Sequence, residues 1–153
     1  MSKNGYVIFS IRANVLRRVD DACVLDNLDG NGMSALEAVA LKCHQASVTE
    51  TPMTRDRTEQ AFSIDRVTSF GRSVMIWGEA GPYGTAGRTV DIDTGDAADF
   101  DERTATMVPL RAMLVIPEDC EDGLLFCERR GQRHLRGALA DVAFRTLGRD
   151  ASV

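Results

Sequence analysis

The run MVPLRAMLVIP at 107–117 sets the tightest limit on what this chain can fold into. It is far too short to span a membrane. From Ala112 to Ile116 it is apolar without a break. A strand with that pattern belongs inside a sheet, buried on both faces. GYVIFSIR at 5–12 has the same near-continuous apolar character, and GLLFCER at 123–129 reads as another central strand. Pro109 has no backbone N–H to donate, so it is expected at a bulge or an edge, where no ladder bond is needed.

Further strands surround these. AFSIDRVTSF at 61–70 alternates Phe62, Ile64 and, after Asp65 and Arg66, Val67. SVMIW at 73–77 is compact and apolar, while GRTVDID at 87–93 sets Val90 and Ile92 against Arg88, Asp91 and Asp93. Two segments have helical spacing instead. One covers about 35–47, with Leu36, Val39, Ala40, Cys43 and Ala46 on one stripe and Ser34 and Glu37 as a capping box at its start. The other covers 133–147, with Leu135, Ala138, Leu139 and Val142 on its buried stripe. Residues 47–60 are polar, contain Pro52 and read as a connector with room for a short helix near 54–60. The order predicts one α+β domain over 1–153: a mainly antiparallel sheet with two or three helices packed on one face.

WGEAGPYGTAGR at 77–88 follows an apolar run and places glycines at 78, 81, 84 and 87. A phosphate-binding P-loop needs a lysine after its last glycine, and none stands here. A dinucleotide fingerprint needs different spacing and a helix to follow. The stretch is therefore expected to turn a wide hairpin, with SVMIW running up and RTVDID returning. DNLDGNGMSALE at 26–37 has the length of a calcium loop, but Leu28, Gly30 and Asn31 occupy positions that need ligands and the turn glycine. A turn into the first helix is the better account. The cysteines at 23, 43, 120 and 127 form no CxxC pair, and with only His44 and His134 no zinc spacing can be drawn. They read as buried reduced thiols, and no cofactor is expected.

Charge is segregated along the chain, whose net value is −5. Between Asp91 and Asp122 ten acidic residues face only Arg103 and Arg111. Asp91 and Asp93, two apart on an expected strand, would point to one face, and with Glu79 they could begin a metal-dependent nuclease or hydrolase site. From 129 to 149 the balance reverses, with Arg129, Arg130, Arg133, Arg136, Arg145 and Arg149 against Asp141 alone. On a helical wheel Arg133, Arg136 and Phe144 fall opposite the buried stripe and would form a contact patch for protein or nucleic acid. Arginine suits bidentate contact with phosphate or carboxylate.

Three functions fit these features. The leading one is a non-enzymatic binding module that uses the basic carboxy-terminal helix, with a protein partner or a homo-oligomer expected and nucleic acid an option. The second is the small metal-dependent hydrolase. The third is a phage-encoded inhibitor whose acidic 91–122 surface mimics nucleic acid. The apolar run Tyr6–Ile11 is too short for a signal peptide, so the expected location is the cytoplasm, with no membrane partner.

The succession VMIWGEAGPYGTAGRTVDIDTGD, then MVPLRAMLVIPEDCEDGLLFCERRGQRHLRGAL, resembles uncharacterised bacterial proteins of phage-defence loci and mobile elements. More loosely, its strand, charged turn and helix are similar to the RexA phage-exclusion proteins, which are about twice as long. The resemblance covers roughly residues 70–145. It implies a defence or anti-phage role, with nucleic-acid binding an option, and assigns no catalytic residue.

Overall fold

A computed structural model describes residues 4–13, 24–28, 32 and 34–145. Eight strands run in chain order as β1 Asn4–Arg12, β2 Met53–Arg55, β3 Gln60–Phe70, β4 Ser73–Pro82, β5 Gly87–Val90, β6 Ala97–Phe100, β7 Val108–Val115 and β8 Asp122–Arg130. Helix α1 spans Ala35–Ser47. Helix α2 spans Arg136–Leu139 and continues as a π-helical turn over Ala140–Phe144. The main sheet has the order β1-β8-β7-β4-β3-β2 with every neighbouring pair antiparallel, and β5 and β6 form a small sheet of their own. The expected α+β architecture holds, with the helices on one face of the sheet.

Alternation decides which side chains meet the helices. Val74, Ile76 and Ala80 of β4, Leu110, Ala112 and Leu114 of β7, and Leu125 and Cys127 of β8 all point to the helical side and are buried. From α1, Leu36, Val39 and Cys43 close over them, and Leu135, Leu139 and Ala143 do so from the second helical segment. Each large apolar side chain removed from water in this way contributes about 1.5–3 kcal/mol. On β3 the alternation slips one residue at Asp65, where the register with β4 jumps from Ile64 to Arg66. That bulge keeps Val67 on the core side, opposite Ile76. Pro109 lies beyond the Ala112–Val115 segment that pairs with β8, so its missing N–H costs no bond on that side.

Several expectations need correction. Ser34 occupies the N-cap position of α1 in extended conformation, but its hydroxyl makes no capping bond. The turn residues Asp29, Gly30 and Asn31 and the cysteine at 23 lie outside the described residues. The connector at 47–60 contains the edge strand β2 as well as a short 3-10 turn, Asp56–Thr58. The glycine stretch does not turn a hairpin. Gly78 and Gly81 lie within β4, whose partners are β3 and β7, and RTV pairs with β6 rather than with SVMIW. The chain reverses further on, at Asp91–Asp96, where the Asp91 N–H donates to the Asp96 carbonyl at 2.7 Å and Gly95 takes a positive φ of 77°. Residues 85–99 form an exposed arm around that reversal.

The glycines in β4 serve close approach rather than turning. A Cβ on Gly81 would collide with the backbone carbonyl of Thr106, and one on Gly78 with that of Ser63. Backbone cannot step aside as a flexible side chain can. Gly81→Ala is therefore expected to lower stability by about 2–3 kcal/mol in urea denaturation. Gly5→Ala, where a Cβ would meet nothing within 4 Å, should stay within about 0.5 kcal/mol of the parent.

Candidate functional site

The carboxy-terminal arginines do not form one surface. Strand alternation sends Arg129 to the same side of β8 as Cys127, the helical side. Arg130 points the other way, where its guanidinium donates to Glu128 Oε1 at 3.2 Å and Arg111 holds Glu128 Oε2 at 3.0 Å. It belongs to the opposite face of the sheet and leaves the expected patch. Phe144 leaves it too. The π-helical turn is wider than an α-helical one and shifts each later side chain around the axis. Phe144 therefore packs against the core instead of standing beside Arg133 and Arg136.

Arg133 and Arg136 remain on the helical side, and other cations meet Arg133 there. The 3-10 turn after β2 ends at Glu59, whose φ of 48° is left-handed. This compact reversal presents Arg55 and Arg57 towards the second helical segment, and Arg55 Nε lies 2.5 Å from Asp141 Oδ2. Arg145 reaches the other oxygen of Asp141 at 2.8 Å. The Arg55 guanidinium also lies flush against Gly137, where a Cβ would collide with it. Between these elements opens a groove of about 710 Å³ whose lining includes Arg55, Arg57 and Arg145 together with the carboxylates of Asp56 and Asp141, the first of which accepts the Tyr83 hydroxyl at 2.6 Å. A second hollow of about 230 Å³ shares Arg55 and Thr58 with it and adds Gln132, Arg133 and His134. Neither Arg55 nor Arg57 stood among the candidates read from the sequence. Both lie in the polar connector, where nothing local marks them as neighbours of a helix far along the chain.

His134 and Arg136 flank a shared aromatic ring. The Arg136 guanidinium sits 4.5 Å from the centre of Phe9, and the His134 ring lies 5.8 Å from it at a tilt of 58°. Burial, followed by the positive charges of Arg136 and Arg129, lowers the His134 pKa below its ordinary 6.5. The same arginines that disfavour a protonated histidine would favour an anion.

The acidic alternative has a different geometry from the one expected. Strand β5 ends at Val90, so Asp91 and Asp93 sit in the turn and not side by side on a strand. The Asp91 carboxylate accepts the N–H groups of Thr94 at 2.9 Å and Asp93 at 2.8 Å, and these bonds lower its pKa. Glu79 is on β4, opposite Pro109. Among the described residues no group of three or more His, Cys, Asp or Glu could hold a metal ion. Cys43 and Cys127 are buried thiols whose pKa burial pushes up to about 12, well away from nucleophilic thiolates. Cys43 is buried and its neighbour His44 exposed, so the two do not make a dyad.

The chain matches no protein-family model, no curated protein and no solved structure.

In an NMR titration His134 is expected to protonate below 6.5, and Arg136→Gln should move its midpoint back up. Because the unfolded chain takes up this proton more readily, the histidine makes stability fall as pH drops from about 6.5 towards the folded-state pKa. Replacing it with Gln should flatten that part of the stability profile.

Proposed function

We propose that this protein is a non-enzymatic binding module that holds a polyanionic partner, nucleic-acid phosphate in the first instance, in the arginine-lined groove beside its carboxy-terminal helix. One observation carries the reading: arginines from separate segments converge on two adjoining hollows, Arg55 and Arg57 from β2 and its turn, Arg133 from the turn after β8, and Arg145 from the helix end. Asp141 occupies Arg55 and Arg145, while no described carboxylate forms an ion pair with Arg57, Arg133 or Arg136. Arg57 and Arg133, which line the hollows, can therefore take phosphate without giving up an ion pair to a described carboxylate, while Arg136 is engaged over the Phe9 ring. Arginine's planar fork matches two phosphate oxygens at once, and its charge persists at every physiological pH. The resemblance to proteins of phage-defence loci supports a defence or mobile-element setting for such a contact.

Fluorescently labelled DNA and RNA titrated at low and high salt, with magnesium present, test the reading. Binding is expected to weaken steeply with salt, with the slope falling by about one for each of Arg57 and Arg133 removed. Charge reversal of Arg57 and Arg133 should abolish binding while the unfolding midpoint stays close to the parent's. Failure of every nucleic acid to bind would end the nucleic-acid reading and direct the search to an acidic protein segment. Cleavage of the probe would end the non-enzymatic one.

A further inference from the structure

The second of the two hollows differs in kind from the groove beside it. Its floor is apolar. Phe62 and Ala80 are register partners across β3 and β4, Ala138 of α2 lies over them, and all three are buried. Gln60 stands two residues before Phe62 on the same face of β3, and its cross-strand neighbour on β2 is Arg55. The Arg55 side chain is fixed from two sides, by its ion pair with Asp141 and by Gly137, against which it lies. Gln132 and Arg133 complete the rim from the turn after β8. No carboxylate lines this hollow, whereas Asp56 and Asp141 both enter the groove.

An apolar floor, two amides at the rim and cations alongside are what a nucleobase and its phosphates need together. Phosphate alone needs charge and gains nothing from Phe62 or Ala80. Each glutamine amide carries donors and an acceptor side by side, the set that matches the edge of a base. No described residue hydrogen-bonds the side-chain amide of Gln60 or Gln132. Size fits as well. An apolar cavity of about 150 Å³ takes one benzene ring, so the hollow's volume of about 230 Å³ admits the ring system of one base and not a stretch of duplex. In a duplex the faces of each base are stacked and its edge is paired, so only an unstacked base of a single strand reaches such a floor.

We infer that the second hollow receives one unstacked base of a single-stranded nucleic acid, with the neighbouring phosphates carried by Arg57 and Arg133. The inference rests on the phosphate-binding reading above and narrows it from any polyanion to a single strand. Arg57 lines the groove, Arg133 lines the hollow, and the two spaces share Arg55 and Thr58. The backbone of a strand whose base enters the hollow therefore runs on into the groove. Gln60 and Gln132 bond the edge of the base, while Phe62, Ala80 and Ala138 support its ring.

Fluorescence anisotropy with the intact chain tests this on labelled strands of about ten nucleotides, a length within the usual site size of single-strand binders. The ligands are a DNA strand, an RNA strand of the same sequence, the DNA duplex, and a DNA strand with the same phosphates but no bases. At least one of the ordinary single strands should bind about 10-fold or more tightly than the abasic strand. A gain on DNA alone or on RNA alone supports the inference equally and identifies the sugar. Gln60→Ala with Gln132→Ala should cost the base-bearing strand about 10-fold and leave the abasic strand unchanged. Arg57→Gln with Arg133→Gln should weaken both alike. Base-bearing strands that gain nothing over the abasic one would overturn the inference and leave the phosphate-binding reading standing. So would a duplex that binds at least as tightly as the single strands, or a folded double-glutamine variant that binds as the parent does. If none of the four ligands binds, both readings fall together.

Discussion

The close passage of β4 between its neighbours is the constraint on which the rest of the molecule depends. Gly78 and Gly81 have no Cβ, so the Ser63 and Thr106 carbonyls reach a backbone that any side chain would hold away. Ile76, at the middle of that strand, is fully buried, and both β3 and β7 take their register from it. Beyond Gly81 the same approach continues, with the Thr106 N–H donating to Pro82 and the Gly84 N–H to Glu102. These bonds tie the foot of the acidic arm to the sheet and leave its far end in water. Glu59, which accepts the Tyr83 N–H through its carbonyl, lies at the end of the 3-10 turn that presents Arg55. The geometry of the arginine groove thus descends from the packing of a glycine-bearing strand.

A clamp of another kind closes the opposite end. Arg72, in the β3–β4 turn, donates to both oxygens of Asp26 at 2.6 and 2.5 Å and to the Ile116 carbonyl at 3.1 Å, while Asp26 also accepts the Asp119 N–H. Three segments distant in sequence meet at one carboxylate, whose pKa the Arg72 hydrogen bond and the Asp119 N–H lower. The described residues divide into a helical side that carries the groove, a sheet side with no described element over it, and an acidic arm beyond the end of the sheet.

Much of the β architecture was legible in the sequence. The slip in alternation from Phe62 and Ile64 to Val67 is the trace of the bulge at Asp65, visible because an extra residue shifts the side-chain period by one. The apolar runs at β7 and β8 identified inner strands correctly, whereas the run at β1, which reads like a strand buried on both faces, forms an edge strand of the sheet with Tyr6 and Ile8 exposed. The runs did not say which of the two faces the described helices cover, because a run of apolar residues records what each side chain prefers and not what lies over it. Strand β2 left no trace, being three residues of mixed character held in place by pairing with β3. The glycine spacing was misread because its cause is non-local: nothing between 77 and 88 mentions Ser63 or Thr106.

The candidate site divides in the same way. The sequence by itself determined that charge is segregated, that cations after residue 42 are all arginine, and that no nucleotide loop or zinc spacing is present. These follow from residue identity and short-range spacing, which a linear reading captures. Only the tertiary structure decided which arginines share a surface. Arg130 and Arg133 are close in sequence yet serve opposite faces, because strand parity governs one and a turn the other. Arg55 and Arg145 are far apart in sequence yet grip one aspartate, because the edge strand packs beside the π-helical turn. Whether a charge is a neighbour depends on where the backbone carries it, and that is set by the burial of the core beneath.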